Sequence, residues 1–307
     1  MTDARHALLA GIVDYAGLFP PAALGMPDAV ANYASYRASA DAWMLGRFVA
    51  PVARMAEFVA TANARDVAVG AAALRGPAVA AESAPWLLAA VAGADVARDV
   101  GAVRTFNDRH RAHFVIDVLE TKAMDIGSIA EIARMTLGAA LTTYVEIPIA
   151  ADPAPLVAAL AAHGLRAKLR TGGVTPDAFP PAAQVARALA SCVAASVPCK
   201  VTAGLHHAVR GDFALTYASD APRGAMFGYL NVFCAAGMLA KGGTMLDAER
   251  VLLERDPRAF TITGDEVRWR ERTLSIVDLG RLRAAATAFG SCSFREPVDD
   301  LAEFAFV

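Results

Sequence analysis

The sequence predicts an α/β protein of the (β/α)8 TIM-barrel type, a single domain over residues 1–307 with an insertion at 205–288. Three observations carry this. Short apolar runs alternate with alanine-rich helical stretches from one end of the chain to the other, the pattern of βα units around a parallel sheet. Eight such runs fit within 307 residues, a length that suits a barrel. No GxGxxG follows any run, which argues against an open dinucleotide-binding sheet.

The eight predicted strands are residues 11–17, 44–50, 67–74, 113–120, 143–149, 166–171, 199–204 and 289–294. The helices between them carry their own signals. Pro27 stands in the first turn of a helix over 27–39, where its missing N–H costs nothing. Asp152-Pro153 opens a helix that stops at Gly164, a C-terminal glycine. A long alanine-rich helix fills 179–196.

The spacing breaks once, between Gly204 and Phe289. That stretch holds an apolar helix at 224–240, a second helix near 245–254, and AFTITGDEVRWR at 259–270, which reads as a β-hairpin turning at Thr263-Gly264-Asp265. An insertion after a strand's C-terminal end is expected over the active face of a barrel, as a lid or a dimer contact. A homo-oligomer is one reading of it.

Composition limits the function. Net charge is −2 and the arginines are scattered, so nucleic acid is not expected as a partner. The most apolar segment, 224–240, contains Asn231 and three glycines, so a buried helix is expected and no membrane span. The N-terminus has no cationic stretch before its apolar run, and Cys192, Cys199, Cys234 and Cys292 form no CxxC pair. Both features point to a cytoplasmic protein with free thiols.

Only four of the 29 basic residues are lysines: Lys122, Lys168, Lys200 and Lys241. Lys168 (AKLRTGG) and Lys200 (CKVTAGLHH) each lie in a predicted strand that ends in glycine. Arginine keeps its proton in a protein, whereas a crowded lysine can lose it. Strand alternation puts Lys168 and Arg170 on one face and Lys200 and Thr202 on one face. Neighbouring lysines inside a barrel repel, and desolvation adds to that, so both effects favour a neutral amine able to attack a carbonyl. Arg170, with Thr171, Gly172 and Gly173 behind it, suits a carboxylate or phosphate on a small substrate. An ion pair of Arg170 with Glu146 or Glu120 is the structural alternative. Thr202, Gly204, His206, His207 and Ser291 complete the expected substrate-binding set.

The two lysine strands resemble those of deoxyribose-phosphate aldolase and related class I aldolases. The resemblance implies Lys168 as Schiff-base nucleophile, Lys200 as its helper, Asp117 as the strand-four acid, and GSCS at 290–293 as part of an anion site; Glu146, at the end of its own strand, is the other expected proton carrier. It covers about a third of the chain. Leu169-Arg170 after the lysine, Ala203-Gly204 in place of a Gly-Gly, and the long insertion depart from that family. The chain as a whole also resembles a group of uncharacterised bacterial proteins through its DYAGLFPPA and TAGLHH segments, which implies no function.

The expected activity is therefore that of a lyase, aldolase-like, on a small anionic carbonyl compound, with no metal and no cofactor. A metal-dependent lyase or isomerase is the alternative: Asp14, Glu120, Glu146 and a histidine at a barrel mouth can bind zinc or manganese. A non-catalytic small-ligand binding or assembly protein is the third reading. It requires Lys168 to be exposed or ion-paired. Phe19-Pro20-Pro21 reads as a stiff turn without a ligand role.

Overall fold

The computed structural model describes residues 3–73 and 84–302. Its strands, in chain order, are β1 (Val13–Tyr15), β2 (Leu45–Pro51), β3 (Trp86–Val91), β4 (Phe114–Lys122), β5 (Thr142–Glu146), β6 (Arg166–Arg170), β7 (Cys199–Thr202), β8 (Gly211–Ala214), β9 (Arg223–Met226), β10 (Phe260–Ile262), β11 (Glu266–Trp269), β12 (Arg272–Ser275) and β13 (Ala286–Ser291). β1 to β7 and β13 close into one parallel barrel in the order β1-β13-β7-β6-β5-β4-β3-β2. The fold is the predicted (β/α)8 barrel.

One predicted strand is misplaced. Residues 67–73 belong to the helix Met55–Ala73, and Leu74 lies outside the described residues. The third strand is Trp86–Val91. Its Leu-Leu-Ala-Ala core has no β-branched residue, so local propensity does not mark it; pairing with β2 and β4 on both sides makes it a strand.

Helices cover the barrel by ordinary amphipathic logic. In Ala182–Ala194, Val185, Leu189 and Cys192 recur at i, i+4 and i+7 and are buried. The predicted apolar helix is Tyr229–Ala240, buried at every position but the last. Tyr229 stacks on Phe289 of β13 at 5.1 Å, so this helix takes the place of a barrel helix. Its one polar residue is satisfied. Asn231 donates to the carbonyls of Val251 (2.7 Å) and Glu254 (2.9 Å) and accepts from the Arg210 N–H (2.9 Å). A Cβ at Gly237 would come within 2.7 Å of Leu274 and Leu282, so glycine there lets the helix Ile276–Ala285 approach.

The region 205–288 therefore divides. The predicted hairpin at 259–270 is two strands of a three-stranded antiparallel sheet, β10-β11-β12, which lies against the helix Ala4–Leu9 through the Ala4 N–H to Gly264 carbonyl bond of 2.8 Å. A second hairpin, β8–β9, follows β7 directly and borders the mouth of the barrel. Among the described residues no helix is long and apolar enough to cross a membrane.

Candidate active site

The barrel interior mixes apolar and charged side chains from the same strands. Val49, Ala89, Val118 and Tyr144, from β2 to β5, form a buried cluster against which Ala16 and Phe19 pack. Phe19, which opens the Phe19-Pro20-Pro21 turn, thus packs on this cluster. Charged residues stand beyond it on the neighbouring positions of β4 to β7. Lys168 and Lys200 are register partners across β6 and β7, and Glu146 is the register partner of Lys168 on β5. Strand alternation turns all three inward, as the sequence predicts for the two lysines.

These residues form an alternating chain of charge. Lys200 Nζ donates to Asp14 Oδ2 at 2.6 Å and to Glu120 Oε1 at 2.5 Å. Lys168 Nζ lies 2.8 Å from Glu120 Oε2 and 3.2 Å from Glu146 Oε2. Arg170 Nε reaches Glu146 Oε1 at 3.0 Å. Three carboxylates (Asp14, Glu120, Glu146) thus alternate with three cations (Lys168, Lys200, Arg170). Lys200 is sealed, with 2% of its side chain exposed; Lys168 stands nearer solvent, with 9%.

The expected mutual repulsion of the lysines does not govern this site. Burial favours a neutral Lys200, but Asp14 and Glu120 outweigh it and hold the ammonium above the ordinary lysine range. Burial would raise the Glu120 carboxyl; Lys168 and Lys200 outweigh burial and bring it down to about 2. Glu146 follows the same balance: burial raises its pKa, Lys168 and then Arg170 lower it, and the net shift is downward. Carboxylates inserted between the cations replace repulsion with attraction, which is strong where water is excluded.

The other predicted residues divide. Arg170 is exposed at the mouth and takes the ion-pair position with Glu146. Asp117 does not join the lysines: it forms a two-bond pair with Arg47, at 2.7 and 2.5 Å. Glu120, three residues further along β4 and past its register shift, holds the place expected of Asp117. Thr171 is fully buried and donates to the Ala203 carbonyl at 2.9 Å, so its hydroxyl serves the loop. Gly172 and Gly204 lie under Phe179: a Cβ on either would come within 2.4 and 2.6 Å of its ring. Close approach of the two loops demands these glycines, and at Gly204 a φ of +71° demands one as well. The N–H groups of Gly172 and Gly173 have no protein acceptor among the described residues. Thr202 is half-buried beside Gly290, and Ser291 is buried, its Oγ accepting from the Ser293 N–H at 3.3 Å.

His206 and His207 both turn to the same helix. Both rings use Nδ1 on one face of the helix Arg295–Ala302: His206 on Glu296 at 2.7 Å, His207 on Asp300 at 3.0 Å. Phe213 stacks on His207 at 3.5 Å. His206, His207, Phe213, Tyr217 and Glu296 line a cleft of about 270 Å³ beneath the β8–β9 hairpin. His206 is raised to about 9, because contacts with Cys292 and Glu296 outweigh its burial. Neither histidine joins the lysine network. Among the described residues no group of three His, Cys, Asp or Glu side chains is arranged to hold a metal ion.

Sequence reasoning missed Lys122, Phe179, Glu296 and Asp300. Lys122 had a signal, since it ends β4 and is the register partner of Glu146. Its Nζ lies 4.0 Å from Glu146 Oε1. Glu296 and Asp300 show an i, i+4 spacing, but nothing local ties them to histidines 90 residues away. No protein-family model, curated protein or solved structure matches this chain.

Proposed function

We propose that the protein is a lyase of the aldolase type that forms a Schiff base between Lys168 and a small anionic carbonyl compound. The observation that carries the reading is the position of Lys168: a lysine of the barrel interior, nearer solvent than Lys200 and in contact with two carboxylates. An amine so placed can pass a proton to Glu146 and attack a carbonyl. Lys200 then acts by fixing the charge and position of Glu120, not by repelling Lys168. Arg170 and the free N–H groups of Gly172 and Gly173 receive the substrate's anionic group. The resemblance to class I aldolases supports the same division of roles. Four buried, unpaired cysteines fit a cytoplasmic setting.

Borohydride reduction in the presence of a carbonyl substrate, followed by peptide mass spectrometry, tests this. A reduced adduct on the Lys168 peptide is expected; an unmodified Lys168 with every carbonyl compound tried overturns it. One observation favours a second reading. Lys168 is ion-paired, as a non-catalytic ligand-binding barrel requires, and that reading expects reversible binding with no adduct.

A further inference from the structure

Glu146 connects Arg170 to Lys168 through a single carboxylate. Its Oε1 accepts from Arg170 Nε at 3.0 Å; its Oε2 lies 3.2 Å from Lys168 Nζ and accepts from Arg170 Nη2 at a longer 3.5 Å. From Nε, the shorter of the two guanidinium contacts, the path to the amine is oxygen, carbon, oxygen. We infer that the compound attacked by Lys168 is a 2-oxo acid, with its carboxylate on Arg170 and its carbonyl carbon where Glu146 Oε2 now stands. This rests on the Schiff-base reading and narrows its substrate.

The argument is one of length. In a 2-oxo acid the carbonyl carbon is bonded directly to the carboxylate carbon, so oxygen, carbon, carbon has the span of the Glu146 bridge. The distance of 3.2 Å from Lys168 Nζ to the end of that bridge falls in the range of about 3–3.5 Å that suits attack. A phosphorylated aldehyde puts several more atoms between anion and carbonyl. With its phosphate on Arg170, its carbonyl would lie beyond Lys168 Nζ.

Displacement of Glu146 is provided for locally. Three cations attend this one carboxylate: Lys168, Arg170 and, at 4.0 Å, the exposed Lys122. An incoming carboxylate takes Arg170 and the present place of the Glu146 carboxyl, which turns toward Lys122 while staying within reach of a proton on Lys168 Nζ. The step balances. The Lys168 ammonium gives one proton to Glu146, and the freed lone pair bonds to the carbonyl carbon. A second proton passes from nitrogen to the former carbonyl oxygen. Glu146 then returns its proton to that oxygen, which leaves as water. A protonated imine on Lys168 and an ionised Glu146 remain.

The test compares three probes in borohydride trapping: pyruvate, its uncharged methyl ester, and glyceraldehyde 3-phosphate. Pyruvate is expected to label Lys168 at least about tenfold faster than either, an advantage that a charge-assisted hydrogen bond can supply. Arg170→Lys keeps the charge but loses the fixed Nε donor, and Arg170→Ala loses both. Each should remove most of the pyruvate advantage while labelling by the ester persists. Circular dichroism identifies a variant that fails to fold, and the wild-type comparison of probes stands without either variant. Faster labelling by the phosphorylated aldehyde or the ester overturns the 2-oxo acid and leaves the Schiff base intact. No labelling of Lys168 by any probe overturns both.

Discussion

Lys168 and Lys200 stand opposite one another in register across β6 and β7, and they share one carboxylate: Glu120 meets Lys168 through Oε2 and Lys200 through Oε1. Glu120 comes from β4, two strands before the nearer lysine, and its side chain crosses the interior to reach both. The arrangement makes the lysines cooperative in charge. Each stabilises the carboxylate that stabilises the other.

Lys200→Met should test the structural half of this arrangement. It leaves Asp14 and Glu120, both buried, short of a cation, and breaking such a pair costs about 3–5 kcal/mol. The midpoint of chemical denaturation at neutral pH should fall accordingly. The deficit should shrink as the pH drops and the orphaned carboxylates protonate. A loss under about 1 kcal/mol would mean that the network contributes little to folding.

The acid limb of stability should carry the signature of Glu120. Its folded pKa, about 2, lies below the ordinary 4.5, so its contribution is present above pH 4.5 and is lost as pH falls toward 2. The depression corresponds to roughly 3 kcal/mol for a fully buried group. Denaturant titrations between pH 5 and pH 2 should show a steep limb in the wild type and a flatter one in Glu120→Gln. Parallel limbs in the two proteins would place the acid sensitivity elsewhere.

The barrel and the inward faces of its lysine strands were legible because both rest on local periodicity. Alternation along AKLRTGG and CKVTAG identifies Lys168, Arg170, Lys200 and Thr202 as sharing the interior, and the structure places them in register. Cross-barrel partners leave no such trace. Whether Asp117 or Glu120 reaches the lysines depends on strand stagger and a register shift between β3 and β4 near Leu88 and Ala89. Charge state was illegible for the same reason, because the lysines' surroundings are set by carboxylates on β1, β4 and β5. The third strand was missed because alanine and leucine serve helix and buried strand alike, and only its neighbours decide.

A basic limb should arise from the rim of the barrel. His206 is raised to about 9 from 6.5, and a raised folded pKa stabilises fully below pH 6.5 and loses that contribution as pH climbs through 9. Glu296, at 2.7 Å, is the closer of its two main supports; Cys292 Sγ is 3.9 Å away. Stability of the wild type should decline between pH 6.5 and 9, and Glu296→Gln should flatten that decline. An unchanged slope would assign the effect to Cys292 or to another group.

Lys168→Arg should separate charge from chemistry. Arginine keeps a cation beside Glu120 and Glu146, so the ion network survives, and the added atoms cost about 1–3 kcal/mol by overpacking. Lys168→Met removes the cation and should cost more, about 3–5 kcal/mol, by leaving buried carboxylates unpaired. The chemistry runs the other way. Arginine cannot surrender its proton, so Lys168→Arg should abolish borohydride trapping and turnover as fully as Lys168→Met does. Folded, charge-balanced and inert is the combination that a purely structural lysine cannot produce. Trapping in Lys168→Arg that moves to Lys200 would show the deeper amine to be the nucleophile. Its burial at 2% then requires the network to open before substrate enters. Retention of turnover without any adduct would remove the Schiff base and leave Lys168 a source of charge alone.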